Sequence, residues 1–399
     1  MASAQESVLA INGGSSSIRF ALYQKNEPLK RRLHGKVDRI GLPGANLTFQ
    51  DGTAGKSGCL KFQASDHRSA AKILIDWIEQ KAGWDSVKAA GHRVVHGMQH
   101  TQPERVTQKL LDELHRIRPY DPDHLPREIE LIESFRELHP KLLQVACFDT
   151  AFHRTMPRVA RLLPIPRKYQ KMGMERYGFH GLSCSYLIGE LARVAGTKAA
   201  RGRVLLAHLG NGASLAAVVG GKSIDTSMGF TPASGLPMST RSGDLDPGIA
   251  PFLERTQGMT TRQFYHMVNH ESGLLGVSET SPDMRDLVSR ESKDARAAEA
   301  IALFCYQTKK WICAYAGAMG GLETIVFAGG IGENAPVIRA RICEGLAFLG
   351  IKVNARRNLA NAPVISSDSS PVTVRVIRTD EEVMIAGTLW RMLNSHNLK

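Results

Sequence analysis

The 399-residue sequence predicts an α/β protein made of two similar halves. A strand–turn–strand segment, VLAIN–GGSSS–IRFALYQ, lies near the start, and a second, VLLAH–LGNGAS–LAAVV, occupies 204–219. Around these segments, short apolar runs alternate with helical patterns. A repeat spaced by about half the chain indicates two related domains rather than a solenoid.

The spacing of apolar residues, and the Gly and Ser residues that bound them, predict the elements of the first half. The two apolar runs of the first segment are short and bounded by Gly and Ser, which favours strands. Helical periodicity covers 70–83 and 125–138. The glycine-rich residues 41–60 predict hairpin loops. Within them, GTAGKSG at 52–58 resembles a phosphate loop, but Gln50 stands where that motif requires Gly, so an exposed hairpin is expected.

The second half continues the alternation. A long helix is predicted over 295–320, and TIVFAGG at 324–330 predicts a buried strand ending in glycines. PVIRARICEGLAFLG predicts one helix closed by Gly350. A strand at 372–377 and a helix over about 381–393 complete the order.

Composition narrows the functional class. Hydrophobic residues make up 43% and charged residues 22%, which is typical of a globular enzyme and excludes disorder. No apolar run approaches the roughly 20 residues of a membrane span. The start, MASAQESVLAING, lacks the basic region of a signal peptide, so a cytoplasmic location is expected.

The net charge of +13 has two interpretations, a nucleic-acid surface or an enzyme that handles anions. The longest basic runs, Lys30–Arg32 and Lys309–Lys310, are short, which favours the enzyme and predicts no nucleic-acid partner and no membrane. The six cysteines form no CxxC pair or zinc-finger spacing, so they are expected to be buried free thiols.

Several segments have the residue types of an anion site. The turn Asn12–Ser17, followed by Arg19, offers backbone N–H groups and hydroxyls to a phosphate, although an ordinary hairpin turn remains an alternative. HLGNGAS and FAGGIGENAP extend this pattern. Arg and His also cluster in HRVVHG, FDTAFH, RYGFHG and GLPMSTRSGDLDPG. A buried Arg93 would need anionic partners, and Asp149 ends the apolar run VACF.

Nine segments together resemble the acetate and propionate kinase family of the acetate and sugar kinase, Hsc70 and actin superfamily. They are INGGSSSIRF, HRVVHG, FDTAFH, RYGFHG, HLGNGAS, DTSMGFTP, TRSGDLDPG, FAGGIGENA and TDEEVMIA. The resemblance implies two similar actin-like ATPase (ribonuclease H-like) domains with a central cleft. The first would be 1–150, completed by a helix at about 382–399, and the second, nucleotide-binding domain would be 151–381.

The resemblance also implies residue roles. Asn12 and Glu381 match the family's magnesium site, and Arg93 matches the arginine that contacts the carboxylate. Asp149, His180 and Arg241 match catalytic positions, and Val95, Phe179 and Pro232 match the acyl pocket. ATP would contact a larger set: Arg19, His208, Leu209, Gly210, Asn211, Gly212, Asp283, Met284, Arg285, Gly330, Ile331, Gly332, Glu333 and Asn334.

The implied reaction is Mg²⁺-dependent, in-line, reversible transfer of the ATP γ-phosphoryl group to acetate, giving acetyl phosphate and ADP. Mn²⁺ is an alternative metal, and a homodimer through the C-terminal domains is expected. A propionate or other short-chain carboxylate kinase is the first alternative. A non-catalytic nucleotide-binding regulator is a remote one, because it would be expected to lack residues such as Arg93 or Arg241.

Several positions depart from the family pattern, including Leu182, Ser183 and Cys184, which follow FHG where TSH is usual. Arg19 replaces Lys, and Met98 stands where Gly usually follows HRVVHG. Asp123 replaces the Leu of the acyl pocket, and Leu125 replaces an Asn. A carboxylate near a small apolar pocket is costly unless it is paired, so Asp123 is expected to point away from the pocket or to pair with a basic neighbour. The acyl preference therefore stays open.

Overall fold

In the computed structural model, which describes residues 5–14, 16–52 and 55–396, the chain forms two compact units. It passes from the first unit to the second between Ala151 and Phe152 and returns between Thr379 and Asp380. Ser15 of the predicted phosphate turn lies outside the described residues, as do Thr53 and Ala54 of the predicted hairpin. Within the described ranges, no helix is long and apolar enough to cross a bilayer.

The described part of the first unit contains one mixed sheet with the strand order β5-β4-β3-β2-β1-β6-β8-β7. Strands β1 to β5 form an antiparallel meander, whereas β1, β6 and β8 are parallel. The strands are β1 Ser7–Gly13, β2 Ser17–Gln24, β3 Lys30–Asp38, β4 Asn46–Asp51, β5 Lys56–Lys61, β6 Val87–Val94, β7 Glu104–Arg105 and β8 Leu143–Phe148.

Helices cover both faces of this sheet. The helices of the first unit are α1 His67–Ala82, α2 Gln108–Ile117, α3 Leu125–Leu138 and the C-terminal helix Glu381–His396. His92 of β6 lies edge-on to Phe135 of α3, whereas a Cβ atom added at Gly91 would lie 2.4 Å from Ile385 Cγ2 of the C-terminal helix. Because successive strand residues face opposite sides, α3 and the C-terminal helix lie on opposite faces.

The second unit contains a five-stranded sheet among its described residues, in the order β11-β10-β9-β12-β13. The strands are β9 Arg203–Leu209, β10 Ala213–Val219, β11 Lys222–Thr226, β12 Thr324–Ala328 and β13 Thr373–Val376. The helices are α4 Arg158–Arg161, α5 Arg167–Gln170, α6 Gly181–Ala195, α7 Thr197–Arg201, α8 Ile249–Gln257, α9 Thr261–His266, α10 Gly273–Ser278, α11 Met284–Arg290, α12 Ala295–Ala318, α13 Gly329–Asn334, α14 Pro336–Cys343 and α15 Ala355–Leu359.

The two units repeat one topology. In the first, the order β3-β2-β1-β6-β8 joins an antiparallel meander to parallel strands, and β11-β10-β9-β12-β13 does the same in the second. In the second unit, apolar residues of α6 pack against β9, β10 and β12. The repeat predicted from the two glycine-rich segments therefore extends to five strands of each sheet.

Three predicted features differ from the structure. The helix expected over 336–350 ends at Cys343, because Gly345 has a φ of 79° and a separate 3₁₀ turn follows at Ala347–Leu349. Residues 41–60 are not only loops, since β4 and β5 pair there at the sheet edge. Among the cysteines, all free, two are not fully buried as expected: Cys59 is exposed, because it lies on β5, and Cys313 is half-buried.

Candidate active site

In the first unit, three polar residues lie at the carboxyl ends of parallel strands. Asn12 is the penultimate residue of β1, Arg93 is the penultimate residue of β6, and Asp149 directly follows β8. The parallel register aligns Arg93 with Cys147 and Ile11 with His92, so the three residues meet at one sheet edge. Ligands of open α/β sheets bind at such an edge.

A buried ion pair joins two of these residues. Arg93 Nη2 lies 2.7 Å from Asp149 Oδ2, and the Asp149 side chain is fully buried. Arg93 also donates from Nη1 to Asn12 Oδ1 at 3.4 Å. Its Nε lies 3.8 Å from Glu381 Oε2. The guanidinium thus has the anionic partners that its burial requires.

Glu381, the first residue of the C-terminal helix, completes this group. Its Oε2 accepts a hydrogen bond of 2.8 Å from Asn12 Nδ2. Burial raises the pKa of the Glu381 carboxyl, and the nearby Arg93 charge opposes that shift. Burial disfavours the Arg93 cation, but Asp149 and Glu381 outweigh it and raise the Arg93 pKa.

The oxygen donors of this group fit a magnesium ion. Two carboxylates, Asp149 and Glu381, face one guanidinium, so their combined negative charge exceeds the positive charge of Arg93. Across the described residues, no three His, Cys, Asp or Glu side chains are arranged to hold a metal alone. Mg²⁺ in phosphoryl-transfer enzymes takes one or two carboxylates, with waters and substrate phosphates as further ligands. The donor set therefore suits magnesium bound together with a nucleotide.

Val95 and Arg19 lie beside this group. Val95 follows β6 and is buried. Arg19 pairs with Asn12 in the β1–β2 register, and its exposed side chain contributes a positive charge that lowers the pKa of Glu381 slightly against the effect of burial.

Met98, four residues after Val94, has a φ of 47°, a left-handed conformation. Glycine adopts this backbone without strain, so Met98 holds its side chain in a conformation that non-glycine residues rarely take.

In the second unit, His180 occupies a strained position at the start of α6. Its φ of 59° is left-handed, and its Nδ1 lies 2.9 Å from Ser214 Oγ. The His180 ring stacks on His208, with ring centroids 4.3 Å apart. The Ser214 contact and the stacking hold the imidazole in one orientation.

The predicted phosphate turn after β9 lies directly beside His180. A Cβ atom added at Gly212 would lie 3.1 Å from His180 Nε2 and 3.8 Å from Arg241 Nη1. A side chain at this position would therefore press on the His180 ring, which would have to shift by a few tenths of an ångström, whereas Arg241 would be in ordinary contact. His180, Gly212 and Arg241 thus converge, as their predicted roles require, and Arg241 Nη1 also donates to the Pro232 carbonyl at 3.3 Å.

The glycine segment after β12 lies against the same turn. Gly329 has a φ of 76°, and a Cβ atom there would lie 2.6 Å from the Leu209 carbonyl oxygen. Glu333 Oε1 accepts hydrogen bonds from the N–H groups of Gly329 and Thr379. Asn334 Nδ2 donates to the Gly330 carbonyl. The two predicted ATP segments, 208–212 and 330–334, are therefore neighbours.

The remaining predicted residues have other surroundings. Asp283 caps α11 and pairs with Arg285, whose side chain is 90% exposed, while Met284 is buried. Phe179 is buried, and its carbonyl oxygen lies 2.9 Å from His153 Nε2. Of the three predicted acyl-pocket residues, Val95 belongs to the first unit, and Phe179 and Pro232 belong to the second.

Asp123 and Leu125, two positions that depart from the family pattern, have different surroundings. Leu125 is fully buried in the core formed by α2, α3, β6 and β8. The Asp123 side chain is half-buried, and its backbone carbonyl accepts a hydrogen bond from Arg127 Nη1 at 3.0 Å. That the Asp123 carboxylate points away from the acyl pocket or pairs with a basic neighbour stays a prediction.

Comparison with known proteins decides the family. The model of the Acetokinase family matches residues 7–387, nearly the whole chain. The chain belongs to the acetokinase family. The nine motifs therefore led to the correct family, and the predicted enzyme class, an ATP-dependent phosphotransferase with a carboxyl acceptor, is confirmed.

Relatives of this acetokinase-family chain include proteins named acetate kinase and proteins named propionate kinase. An acetate kinase of Rhodopseudomonas palustris (strain TIE-1) is 43% identical over 96% of this chain and 98% of its own length. A propionate kinase of Citrobacter rodentium is 42% identical over 96% of each chain. Relatives at this level of identity therefore carry both names.

Solved structures confirm the fold. The acetate kinase of Porphyromonas gingivalis matches with a TM-score of 0.88 and 35% identity, covering 97% of this chain and all of that one. A propionate kinase of Francisella tularensis matches with a TM-score of 0.90 and 34% identity, covering 96% and 98%. Each unit of this acetokinase-family member therefore has the predicted actin-like, ribonuclease H-like α/β fold.

Sequence reasoning missed one buried acid beside the first group. Glu128 of α3 is 3% exposed and accepts a hydrogen bond from the Val95 N–H. A signal for it existed, because Glu128 falls on the apolar face of the helix, three residues after Leu125 and four before Ile132.

Proposed function

We propose that this chain catalyses Mg²⁺-dependent, reversible transfer of the γ-phosphoryl group of ATP to acetate, giving acetyl phosphate and ADP. The observation that supports it best is the Arg93–Asp149 pair, fully buried at Asp149, with Asn12 and Glu381 beside it. Arg93 Nε makes no hydrogen bond among the described residues, so the guanidinium retains a donor for a further anion. A small carboxylate is the acceptor that such a guanidinium suits.

The proposed role of each residue follows from the charge of the group that it would contact. The acceptor is a carboxylate, already ionised at neutral pH, so no strong general base is needed. The obstacle is the approach of one anion to another, and Arg93 would bind the acceptor carboxylate. His180 and Arg241, which converge at Gly212, would stabilise charge on the transferring phosphoryl oxygens.

Asn12 and Glu381 would hold the magnesium ion, and Asp149 would orient charged groups rather than remove a proton. When bound, the ion neutralises phosphate charge. The glycine segments 208–212 and 330–334 would contact the nucleotide, because backbone N–H groups near glycines allow close approach of phosphates.

Hydroxamate-coupled detection of acyl phosphate tests the proposal. ATP and Mg²⁺ are supplied with acetate, propionate or butyrate, and the parent is compared with Arg241→Ala. We expect activity with acetate that falls about 100-fold or more in the variant, the size typical of losing one transition-state donor. Omission of Mg²⁺ should abolish it. Silence with every acid would overturn the proposal and favour a non-catalytic nucleotide-binding protein.

Propionate is the second candidate acceptor. The propionate kinases among the relatives are nearly as similar as the acetate kinases, at 42% against 43% identity. One methylene changes binding by only about 1–3 kcal/mol, so preference rests on a few contacts. Asp123→Leu, compared with the parent on both acids, tests whether Asp123 sets it. An unchanged ratio would remove Asp123 from the explanation.

We also propose a homodimer formed through the second unit. Large apolar side chains of this unit are exposed, among them Tyr306 at 61%, Phe348 at 74% and Leu359 at 75%. Apolar surface of this kind favours association. Sedimentation equilibrium tests it, and a single species at the monomer mass across micromolar concentrations would contradict it.

A further inference from the structure

Glu128 is a carboxylic acid on the buried face of a helix. Its neighbours on that face of α3, Leu125, Ile129 and Ile132, are fully or almost fully buried apolar residues, and Glu128 itself is 3% exposed. Burial of a carboxyl group is unfavourable unless the group is neutral or well paired. A specific contact should therefore account for its presence.

The contact is with the backbone that follows β6. Glu128 Oε2 accepts a hydrogen bond of 3.0 Å from the Val95 N–H. On the other side of the same peptide unit, the Val94 carbonyl accepts a hydrogen bond of 2.9 Å from the Asp149 N–H. The Val94–Val95 peptide is therefore held at both of its polar atoms. Arg93 is the residue immediately before it.

The stem of Glu128 also lies near the end of β1. A Cβ atom added at Gly13 would lie 3.9 Å from Glu128 Cγ. Gly13 directly follows Asn12 in the chain. The Glu128 side chain is therefore close to the ends of both parallel strands that carry Asn12 and Arg93.

The protonation state of Glu128 suits a contact with backbone. Burial raises its pKa to about 8, and Asp121 and Asp149 add to this while the Arg93 charge opposes it. The acid is therefore mostly neutral at pH 7. A neutral Glu128 can hold the Val95 N–H without competing with the acceptor for the Arg93 charge.

We propose that Glu128 is a positioning residue for the carboxylate acceptor, acting through the Val94–Val95 peptide on Arg93 and Val95. This rests on the proposed function, because Arg93 and Val95 matter here as groups that bind the acceptor. Loss of the contact would leave the Val95 N–H buried without a partner and free the peptide to rotate. Loss of this contact should weaken binding of the acceptor more than binding of the nucleotide.

The test compares Glu128→Leu, Glu128→Gln and the parent in hydroxamate-coupled kinetics with ATP, Mg²⁺, acetate and propionate. Leu fills similar volume but accepts no hydrogen bond, whereas Gln keeps an acceptor oxygen. In E128L we expect the acetate KM to rise about 10-fold, the size of one buried unpaired N–H. The ATP KM should stay within twofold, and the propionate-to-acetate ratio of kcat/KM should shift at least threefold. E128Q should restore all three values to near those of the parent.

Glu137→Leu serves as the control, because Glu137 lies on the same helix with its side chain 69% exposed. If E128L fails to fold, Glu128→Asp replaces it, since a carboxyl one methylene shorter cannot reach the Val95 N–H. An unchanged acetate KM in E128L or E128D overturns the inference, as does a loss that Gln does not restore. Inactivity of the parent itself would instead refute the proposed function.

Discussion

At the scale of single residues, charge balance decides what the first unit can bind. Arg93 faces the carboxylates of Asp149 and Glu381, and burial acts on all three groups. A buried charge without a partner is costly, so adding or removing one charged side chain here should strongly change activity or stability. This makes Asp149 the most informative residue to change.

Asp149→Asn removes one charge and keeps the shape. We expect kcat to fall about 100-fold or more, because Arg93 loses its nearest anionic partner at 2.7 Å and its orientation. Steady-state kinetics with ATP and acetate measure it, with Asp112→Asn on the partly exposed helix α2 as the control. Near-normal turnover of D149N would exclude both an orienting role and a catalytic one.

Glu128 should make stability depend on pH in a defined direction. Its pKa is about 8 in the folded chain and about 4.3 when unfolded, so the folded state binds more protons between these values. The stabilisation is complete below about pH 4 and is lost as pH rises through 8. Urea unfolding should show the parent losing stability relative to Glu128→Gln between pH 5.5 and 8.5. Parallel curves for the two proteins would contradict the buried neutral acid.

Among the site residues, those that a motif marks could be predicted and the others could not. Arg93 and Asp149 were identified because an arginine between apolar runs and an aspartate after a strand are unusual in sequence. Glu128 has a weaker marker, its place on the apolar face of α3, and a glutamate near the start of a helix is common. Its contact with Val95 depends on how α3 packs against β6, which the sequence does not give.

At the scale of elements, β6 and the C-terminal helix pack closely against each other in the first unit. A Cβ atom at Gly91 would lie 2.4 Å from Ile385 Cγ2 and 3.2 Å from Leu389 Cδ1. The helix that carries Glu381 thus packs directly on the strand that carries Arg93. Close packing of these two elements keeps Glu381 and Arg93 in a fixed relation.

Gly91→Ala should therefore destabilise the protein by about 1–3 kcal/mol, the usual cost of overpacking. Gly387→Ala is the matched control, because position 387 lies in the same helix and has no atom within 4 Å of an added Cβ. We expect that variant to gain about 0.5–1 kcal/mol from reduced backbone entropy. Chemical denaturation measures both. Equal effects would show that Gly91 is not closely packed.

Element prediction succeeded where periodicity was strong. Helix α3 covers the predicted 125–138, and β1, β2, β9, β10 and β12 lie where the short apolar runs predicted them. It failed at 336–350, where the left-handed Gly345 ends the helix early. It also failed at β4 and at the edge strand β5, because their many exposed residues leave no apolar pattern.

At the scale of the whole molecule, the chain order of the units matters. The first unit needs both its N-terminal part and the returning segment from Asp380, whereas the second is the continuous segment Phe152–Thr379. The C-terminal helix buries Ile385 and Leu389 against the first sheet. The second unit is therefore one piece of chain, whereas the first is completed by the returning segment.

Fragments should show this asymmetry. We expect residues 152–379 alone to unfold cooperatively, and residues 1–151 alone to aggregate or lack a cooperative transition. Addition of a peptide covering 380–396 should restore folding of the 1–151 fragment, because it supplies Ile385 and Leu389. Circular dichroism and thermal melts measure this. A stable 1–151 fragment without the peptide would contradict the role given to the helix.

The return of the chain to its first unit has a consequence for biosynthesis. A ribosome releases residues 1–151 first and must then make the whole second unit before Glu381 emerges. At about 5–20 residues per second, that delay is on the order of 10–45 s. During it, the nascent first sheet lacks its covering helix and is a natural client for chaperones. It also lacks the acidic side chain proposed to hold magnesium, so an unfinished chain should not consume ATP.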